Sequence, residues 1–412
     1  MKKKKPVIEI LIAGDEILSD PVREKNAQFI ADSLRTAGFD IDFITITGDN
    51  IHNLSGAMKH SSRRADIVLV TGGLGPTSDD RTVEAFASAF GLNLVLHEKS
   101  LKRIEALFKR RKRTMSNSNR SQAMIPEGGS ALENRIGTAP GIFAHAENTD
   151  FYLMPGVPAE MKNIFEDTAL PKIIAEYEHE VRGTEVLRLT GISESELYDR
   201  IGSIDGTHES VRYYPGLEGI TVKIITGAGS QPSAKEIGGQ IIETVGDIVF
   251  STEGESLEQV VGELLREKGL TVSAAESCTG GRITNRLTKI PGSSDYVLAG
   301  VVAYSNESKR NILGVDRELI ERYGAVSAEV AGAMSEGVRR ITGADIGIST
   351  TGIAGPGGGS AEKPVGLMYT GITTANGTET KKLQFVEDRL INMGIMSQAV
   401  LNILRCNLTN MR

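Results

Sequence analysis

Short apolar runs alternate with segments of helical period along the first part of the chain. Residues 7–12 read as a strand, 26–37 as a helix closed by Gly38, and 41–46 and 67–70 as two further strands. Ile67, Val68, Leu69 and Val70 are all apolar, the pattern of a strand buried on both faces of a parallel sheet covered by helices. Residues 151–154 add a strand before Pro155-Gly156-Val157-Pro158, and a helix over 159–178 closes this region. From Gly183 the character changes. Strands at 186–190, 210–214 and 219–226 with a helix at 194–201 read as a small α+β module ending near Phe250. An acidic helical segment, 253–268, opens a third region with strands at 270–275, 296–303, 346–351 and 367–373 and a helix at 328–341. The expected fold class is α/β, with domains at 1–180, 181–252 and 253–412; there is no internal repeat and no low-complexity tract.

Composition narrows the class. A chain of 412 residues is too long for one ordinary core, and 40% hydrophobic with 24% charged residues is the balance of a soluble globular protein. A net charge of −7 argues against nucleic acid as a partner. Two cysteines, Cys278 and Cys406, make no disulfide framework and fit a reducing cytosol. Lys2–Lys5 look like the start of a signal peptide, but the apolar stretch behind them is broken by Glu9 and ends at Gly14-Asp15-Glu16. No apolar run approaches the roughly 20 residues that cross a bilayer, so a cytoplasmic protein without a membrane partner is expected.

Three turns in the first region carry candidate chemistry. The strand 67–70 runs into Thr71-Gly72-Gly73-Leu74-Gly75-Pro76-Thr77-Ser78-Asp79-Asp80, where a helix begins. Glycines at a strand's carboxyl end let backbone N–H groups approach a phosphate, and the helix N-terminus adds positive charge. It is not a Walker A loop, because no Gly-Lys-Ser/Thr follows. The plainer reading is that Ser78, Asp79 or Asp80 caps the helix. Gly14-Asp15-Glu16 and Gly48-Asp49 also follow strands, so acidic turns should converge at one rim, where a hard divalent cation bridging a diphosphate would suit them. The basic run Lys109–Arg113 is either a solvated helix end or a cover attracting a diphosphate.

The third region lacks histidine, since none of the six lies beyond His208. Yet Glu276-Ser277-Cys278-Thr279-Gly280-Gly281 follows a strand, and places Ser277 or Cys278 as a nucleophile over an anion-binding helix N-terminus. Its base must then be something other than imidazole, such as a tyrosinate or a lysine. A second glycine turn, Gly352-Ile353-Ala354-Gly355-Pro356-Gly357-Gly358-Gly359, also follows a strand.

These motifs resemble a family. Gly14-Asp15-Glu16-Ile17-Leu18, the Gly72–Asp80 loop, Gly137-Thr138-Ala139-Pro140-Gly141 and Pro155-Gly156-Val157-Pro158-Ala159-Glu160-Met161 resemble the molybdopterin-binding-like domain of the competence/damage-inducible CinA family. The resemblance implies a pyrophosphatase that splits ADP-ribose into AMP and ribose 5-phosphate with a divalent metal (Mg, Mn or Co). Gly73, Gly75, Thr77 and Asp79 would bind substrate, and Asp80, Asp15 and Asp49 are candidate metal ligands. Ser19-Asp20 departs from the glycine usual after the acidic turn. In the third region the glycine turns, with Pro291-Gly292-Ser293-Ser294, Ala303-Tyr304-Ser305-Asn306, Gly324-Ala325-Val326-Ser327 and Lys363-Pro364-Val365-Gly366, resemble the family's C-terminal domain, an amidohydrolase of nicotinamide mononucleotide (NMN) that needs no cofactor.

The resemblance makes Ser277 the nucleophile, Tyr304 its base and Arg389 the cation that favours the phenolate, with Lys309 a second such cation. Backbone N–H groups of Cys278, Thr279, Gly280 and Gly281 would hold the oxyanion and the substrate's phosphate, and Lys309, Gly352 and Gly355 are further substrate-binding positions. Cys278 is the competing nucleophile. The family's central module is KH-like, and Gly216-Leu217-Glu218-Gly219 superficially fits its backbone clamp. A glutamate there would repel phosphate, which favours a spacer or dimerisation element. A homodimer acting on NMN and ADP-ribose is the expectation. The alternatives are a non-catalytic molybdopterin- or nucleotide-binding N-terminal half, or a scaffold for competence and DNA-repair proteins.

Overall fold

The computed structural model describes residues 2–19, 24–385 and 388–411. The chain forms two compact units that divide between Arg182 and Gly183.

In the first unit a six-stranded sheet runs in the order Phe43–Thr47, Ile8–Ala13, Ile67–Thr71, Thr149–Met154, Gly141–Ala146, Ser130–Leu132. The first four strands are parallel; the last two pairings are antiparallel. Successive side chains serve opposite faces. Ile8, Ile10 and Ile12 pack with Ile30 and Leu34 of the helix Asn26–Thr36, whereas Leu11 and Ala13 pack with Leu54 and Met58 of Ile51–Ser61 and Phe86 of Thr82–Phe90. Burial on both faces explains the unbroken apolar run of Ile67–Val70. The edge strand is two residues shorter at its start than the expected 41–46, and its Phe43, Ile44 and Ile46 are exposed. The closing helix is not uniform. It runs Pro158–Ile164, widens to a π-helical turn over Phe165–Ala169 and continues as Leu170–Glu176, because Pro171 brings no N–H and crowds the carbonyl a turn earlier.

In the second unit a four-stranded sheet, ordered Val211–Gly216, Gly219–Gly227, Arg182–Leu189, Val249–Ser251, is covered by helices Glu194–Ile201 and Ala234–Val245. The Gly216–Gly219 segment is a two-residue hairpin turn, with Gly216 paired to Gly219. The Glu218 carbonyl accepts a 2.7 Å bond from Gln398 Nε2, so part of the turn's backbone is engaged by the C-terminal helix.

A five-stranded sheet follows, ordered Val297–Val302, Val272–Glu276, Ile346–Gly352, Leu367–Thr374, Gly377–Gln384, the first three parallel and the rest antiparallel. Helix Ala328–Thr342 covers one face; Leu257–Lys268 and Arg389–Asn410 cover the other. The first of these starts later than the expected 253, because Ser256 and Gln259 form a capping box there.

Candidate active sites

The carboxyl ends of the first unit's parallel strands open into a cleft of about 710 Å³. The acidic turns converge there as expected: Asp15, Glu16, Asp49, Asp79, Asp80 and Glu160 line it with Gly73, Gly75 and Thr77, and among the described residues no lysine, arginine or histidine does. Asp15 and Asp49 face each other. The Asp15 N–H donates to Asp49 Oδ2 at 3.0 Å, and the Asp49 N–H donates to Asp15 Oδ1 at 3.1 Å. Burial raises the Asp49 carboxyl above its usual range, and repulsion from Asp15, Glu16 and Asp79 adds to this.

Asp80 has another employment. Its Oδ2 accepts from Thr77 N–H at 2.9 Å and from Thr77 Oγ1 at 2.5 Å, closing a turn. The following helix starts only at Thr82, behind Arg81, so neither Ser78, Asp79 nor Asp80 caps it. Gly73 has φ +66° and faces the Thr82 side chain, a close approach that a Cβ would block. Among the described residues no three His, Cys, Asp or Glu side chains stand together as a metal-ligand group. The donor set nevertheless fits a hard cation in chemistry and charge: oxygen ligands with uncompensated negative charge at Asp49. Asp20 lies outside the described residues. Lys109–Arg113 are exposed at the end of helix Glu98–Arg110 and do not line the cleft, which is where a helix dipole favours cations.

The second unit has its own cleft, about 210 Å³, again at the carboxyl ends of parallel strands. Ser277, Cys278, Tyr304, Lys309, Gly352 and Arg389 meet there, and among the described residues none that lines it is acidic. Arg389 Nη2 donates to the Tyr304 hydroxyl at 3.0 Å, and Nη1 donates to the Gly355 carbonyl at 2.9 Å. Asp388 caps the helix that Arg389 begins by accepting from Ile391 N–H; Glu387 lies outside the described residues.

The group against the Ser277 hydroxyl is Lys309. Its Nζ donates to Ser277 Oγ at 3.1 Å, to the Ala303 carbonyl at 2.9 Å and to the Tyr304 carbonyl at 3.1 Å. Lys309 is only 1% exposed, and burial lowers its pKa from the usual lysine value. Tyr304 is by contrast 61% exposed at the mouth. Burial pushes the Cys278 thiol up to about 12, which keeps it protonated and a poor nucleophile.

The donors of Thr279, Gly280 and Gly281 are taken up by the protein itself. Thr279 Oγ1 and Gly281 N–H donate to Glu276 Oε2 at 2.7 and 2.9 Å, and Gly280 N–H donates to the Ser277 carbonyl. The start of helix Arg282–Thr288 thus holds the protein's own carboxylate where sequence alone suggested a substrate anion. Sequence reasoning named Lys309 as a charge source and substrate-binding residue, and gave Glu276 of the same motif no role. Glu276, the last strand residue before the turn, was the available signal.

Comparison with known proteins gives a consistent picture. Residues 9–175 match the probable molybdopterin binding domain family, and residues 254–408 match the CinA C-terminal domain family. A putative competence-damage inducible protein from Caldicellulosiruptor bescii is 40% identical over 405 residues, covering 97% of this chain and 98% of that protein. One of the same description from Clostridium botulinum (strain Okra) is 39% identical, covering 97% and 99%. Among solved structures, the competence/damage inducible protein CihA from Agrobacterium tumefaciens is 39% identical over 37% of this chain and 94% of that one, with a TM-score of 0.36. No helix among the described residues is long and apolar enough to cross a membrane.

Proposed function

Since this chain belongs to the competence-damage inducible (CinA) protein family, we propose that its second unit hydrolyses the carboxamide of NMN to nicotinic acid mononucleotide and ammonia. The observation that carries this reading is the buried Lys309 Nζ set 3.1 Å from Ser277 Oγ in a cleft without histidine. A neutral amine keeps two N–H bonds, to the Ala303 and Tyr304 carbonyls, and turns its lone pair to the serine hydroxyl.

Ser277 Oγ adds to the carboxamide carbon and its proton passes to Lys309. Lys309 returns that proton to the nitrogen as the C–N bond breaks, releasing ammonia and leaving an acyl ester on Ser277. Water then adds to the ester, gives a proton to Lys309, and the Ser277 oxygen leaves with it. We assign Lys309, not Tyr304, as the base, because the Tyr304 hydroxyl is engaged by Arg389; that pair offers donors to the substrate at the cleft mouth. The test is ammonia release from NMN, lost in Ser277→Ala and retained in Cys278→Ala; the reverse pattern refutes the serine.

For the first unit we propose hydrolysis of the ADP-ribose diphosphate. Among the described residues its cleft has acids and no base, so a diphosphate enters only with positive charge. A divalent cation held by Asp15 and Asp49 supplies that charge when bound. Gly75 and Thr77 shape the wall beside it. The alternative is a nucleotide-binding module without turnover, favoured by the engagement of Asp80 with Thr77. ADP-ribose turnover with Mg²⁺, Mn²⁺ or Co²⁺, abolished by chelation, separates them.

A further inference from the structure

We infer that Glu276 is a positioning residue that fixes the nucleophile turn, an inference that rests on the serine reading of the second cleft. Glu276 ends the strand Val272–Glu276 and is 0% exposed. Its carboxylate accepts five hydrogen bonds. Oε2 takes Thr279 Oγ1 at 2.7 Å, Gly281 N–H at 2.9 Å and Ile283 N–H at 3.1 Å; Oε1 takes Thr284 N–H at 2.8 Å and Thr284 Oγ1 at 2.7 Å.

All five donors lie three to eight residues ahead, so one side chain gathers the whole 279–284 segment around itself. The turn between is short and strained only where glycine permits it, at Gly280 and Gly281 with φ of +62° and +92°. Ser277 is pinned from both sides. Its N–H donates to the Thr350 carbonyl of the neighbouring strand at 3.1 Å, and its carbonyl accepts from Gly280 N–H at 3.2 Å. Thr279 Oγ1 also lies 2.8 Å from Thr350 Oγ1, which joins the carboxylate to the same strand. The direction of Ser277 Oγ toward Lys309 is therefore set by the residue immediately before it.

Glutamine cannot substitute. Its amide nitrogen would face N–H or O–H donors at whichever oxygen it replaced, and the turn would have to reopen. A displacement of about 1 Å in a reacting group lowers turnover on the order of 10²-fold, with little effect on binding when the displaced group does not hold the ligand.

The experiment uses the full-length chain with two readouts: kcat and KM for NMN, and the rate at which a fluorophosphonate phosphonylates Ser277 with loss of fluoride, followed by mass spectrometry. Glu276→Gln should lower kcat and the labelling rate together by about 10²-fold while KM changes by less than about threefold. Wild-type labelling and kcat in folded Glu276→Gln overturn the proposal. Should that variant fail to fold, Thr284→Val, which removes one donor, should lower both rates several-fold at unchanged KM; unchanged rates overturn it equally. If wild type labels at Ser277 but releases no ammonia from NMN, the substrate reading fails and labelling alone still decides the role of Glu276. If Ser277 does not label at all, Glu276 has no nucleophile to position and the proposal falls.

Discussion

Both clefts lie at the carboxyl ends of parallel strands, yet they carry opposite charge. Among the described residues, the first is lined by six carboxylates and no cation, the second by Lys309 and Arg389 and no carboxylate. Burial raises the Asp49 carboxyl in the first, with repulsion from Asp15, Glu16 and Asp79 adding to it, and burial lowers the Lys309 ammonium in the second. On the proposed reading the same backbone device serves two chemistries: one site needs charge from outside, the other carries its own base. The lesson is that strand-end geometry locates a site, whereas the charge of its walls says what can react there.

The contrast can be broken most sharply at Ser277. Ser277→Ala should cut ammonia release from NMN by at least about 10⁴-fold, and leave ADP-ribose hydrolysis at the first cleft unchanged. Chelation should do the converse, removing about 10³-fold or more of the ADP-ribose activity, measured as AMP formation. Lys309→Met should lower deamidation by roughly 10²- to 10⁴-fold, the range for loss of a general base, in a protein whose melting curve confirms that it folds.

How much of this was legible in the sequence follows from what each feature depends on. The all-apolar Ile67–Val70 run announced a doubly covered strand because burial leaves its mark on every position. The three acidic turns were predicted to converge because parallel strands put their carboxyl ends on one rim, and Asp15, Asp49 and Asp79 do meet there. Asp80 was misread as a helix cap because a three-residue turn to Thr77 leaves no pattern distinct from one. The pairing of Tyr304 with Arg389, 85 residues apart, came from family resemblance and not from the residues themselves. Lys309 against Ser277 was invisible for a related reason: its Nζ reaches the serine only through the fold that brings helix Asn306–Asn311 to the neighbouring strand's end. Helix Arg389–Asn410 gave no amphipathic signal, since it is buried between the five-stranded sheet on one side and the small module's turn on another.

Two smaller effects refine the comparison. Tyr304→Phe removes the hydroxyl that Arg389 holds and should cost about tenfold in kcat for NMN, because it loses a hydrogen bond to a charged group and not the base. On the stability of metal-free protein, the effect of Asp49→Asn should be small. A carboxyl raised in the folded state favours folding while it is protonated and loses that contribution as pH rises through its folded pKa, so at neutral pH the ionised Asp49 destabilises the first unit. Asn should raise the melting temperature without metal, and abolish most of the stabilisation that Mg²⁺ gives wild type.

The central claim is that a buried lysine, not a metal, activates Ser277. Its most direct test is the pH dependence of kcat/KM for ammonia release from NMN by chelator-treated protein. The account predicts undiminished activity with one acid limb: the rate falls as pH drops through a lysine pKa lying below the usual 10.5, where the ammonium loses its lone pair. Activity that vanishes with the chelator, or a rate indifferent to pH across that range, would contradict it.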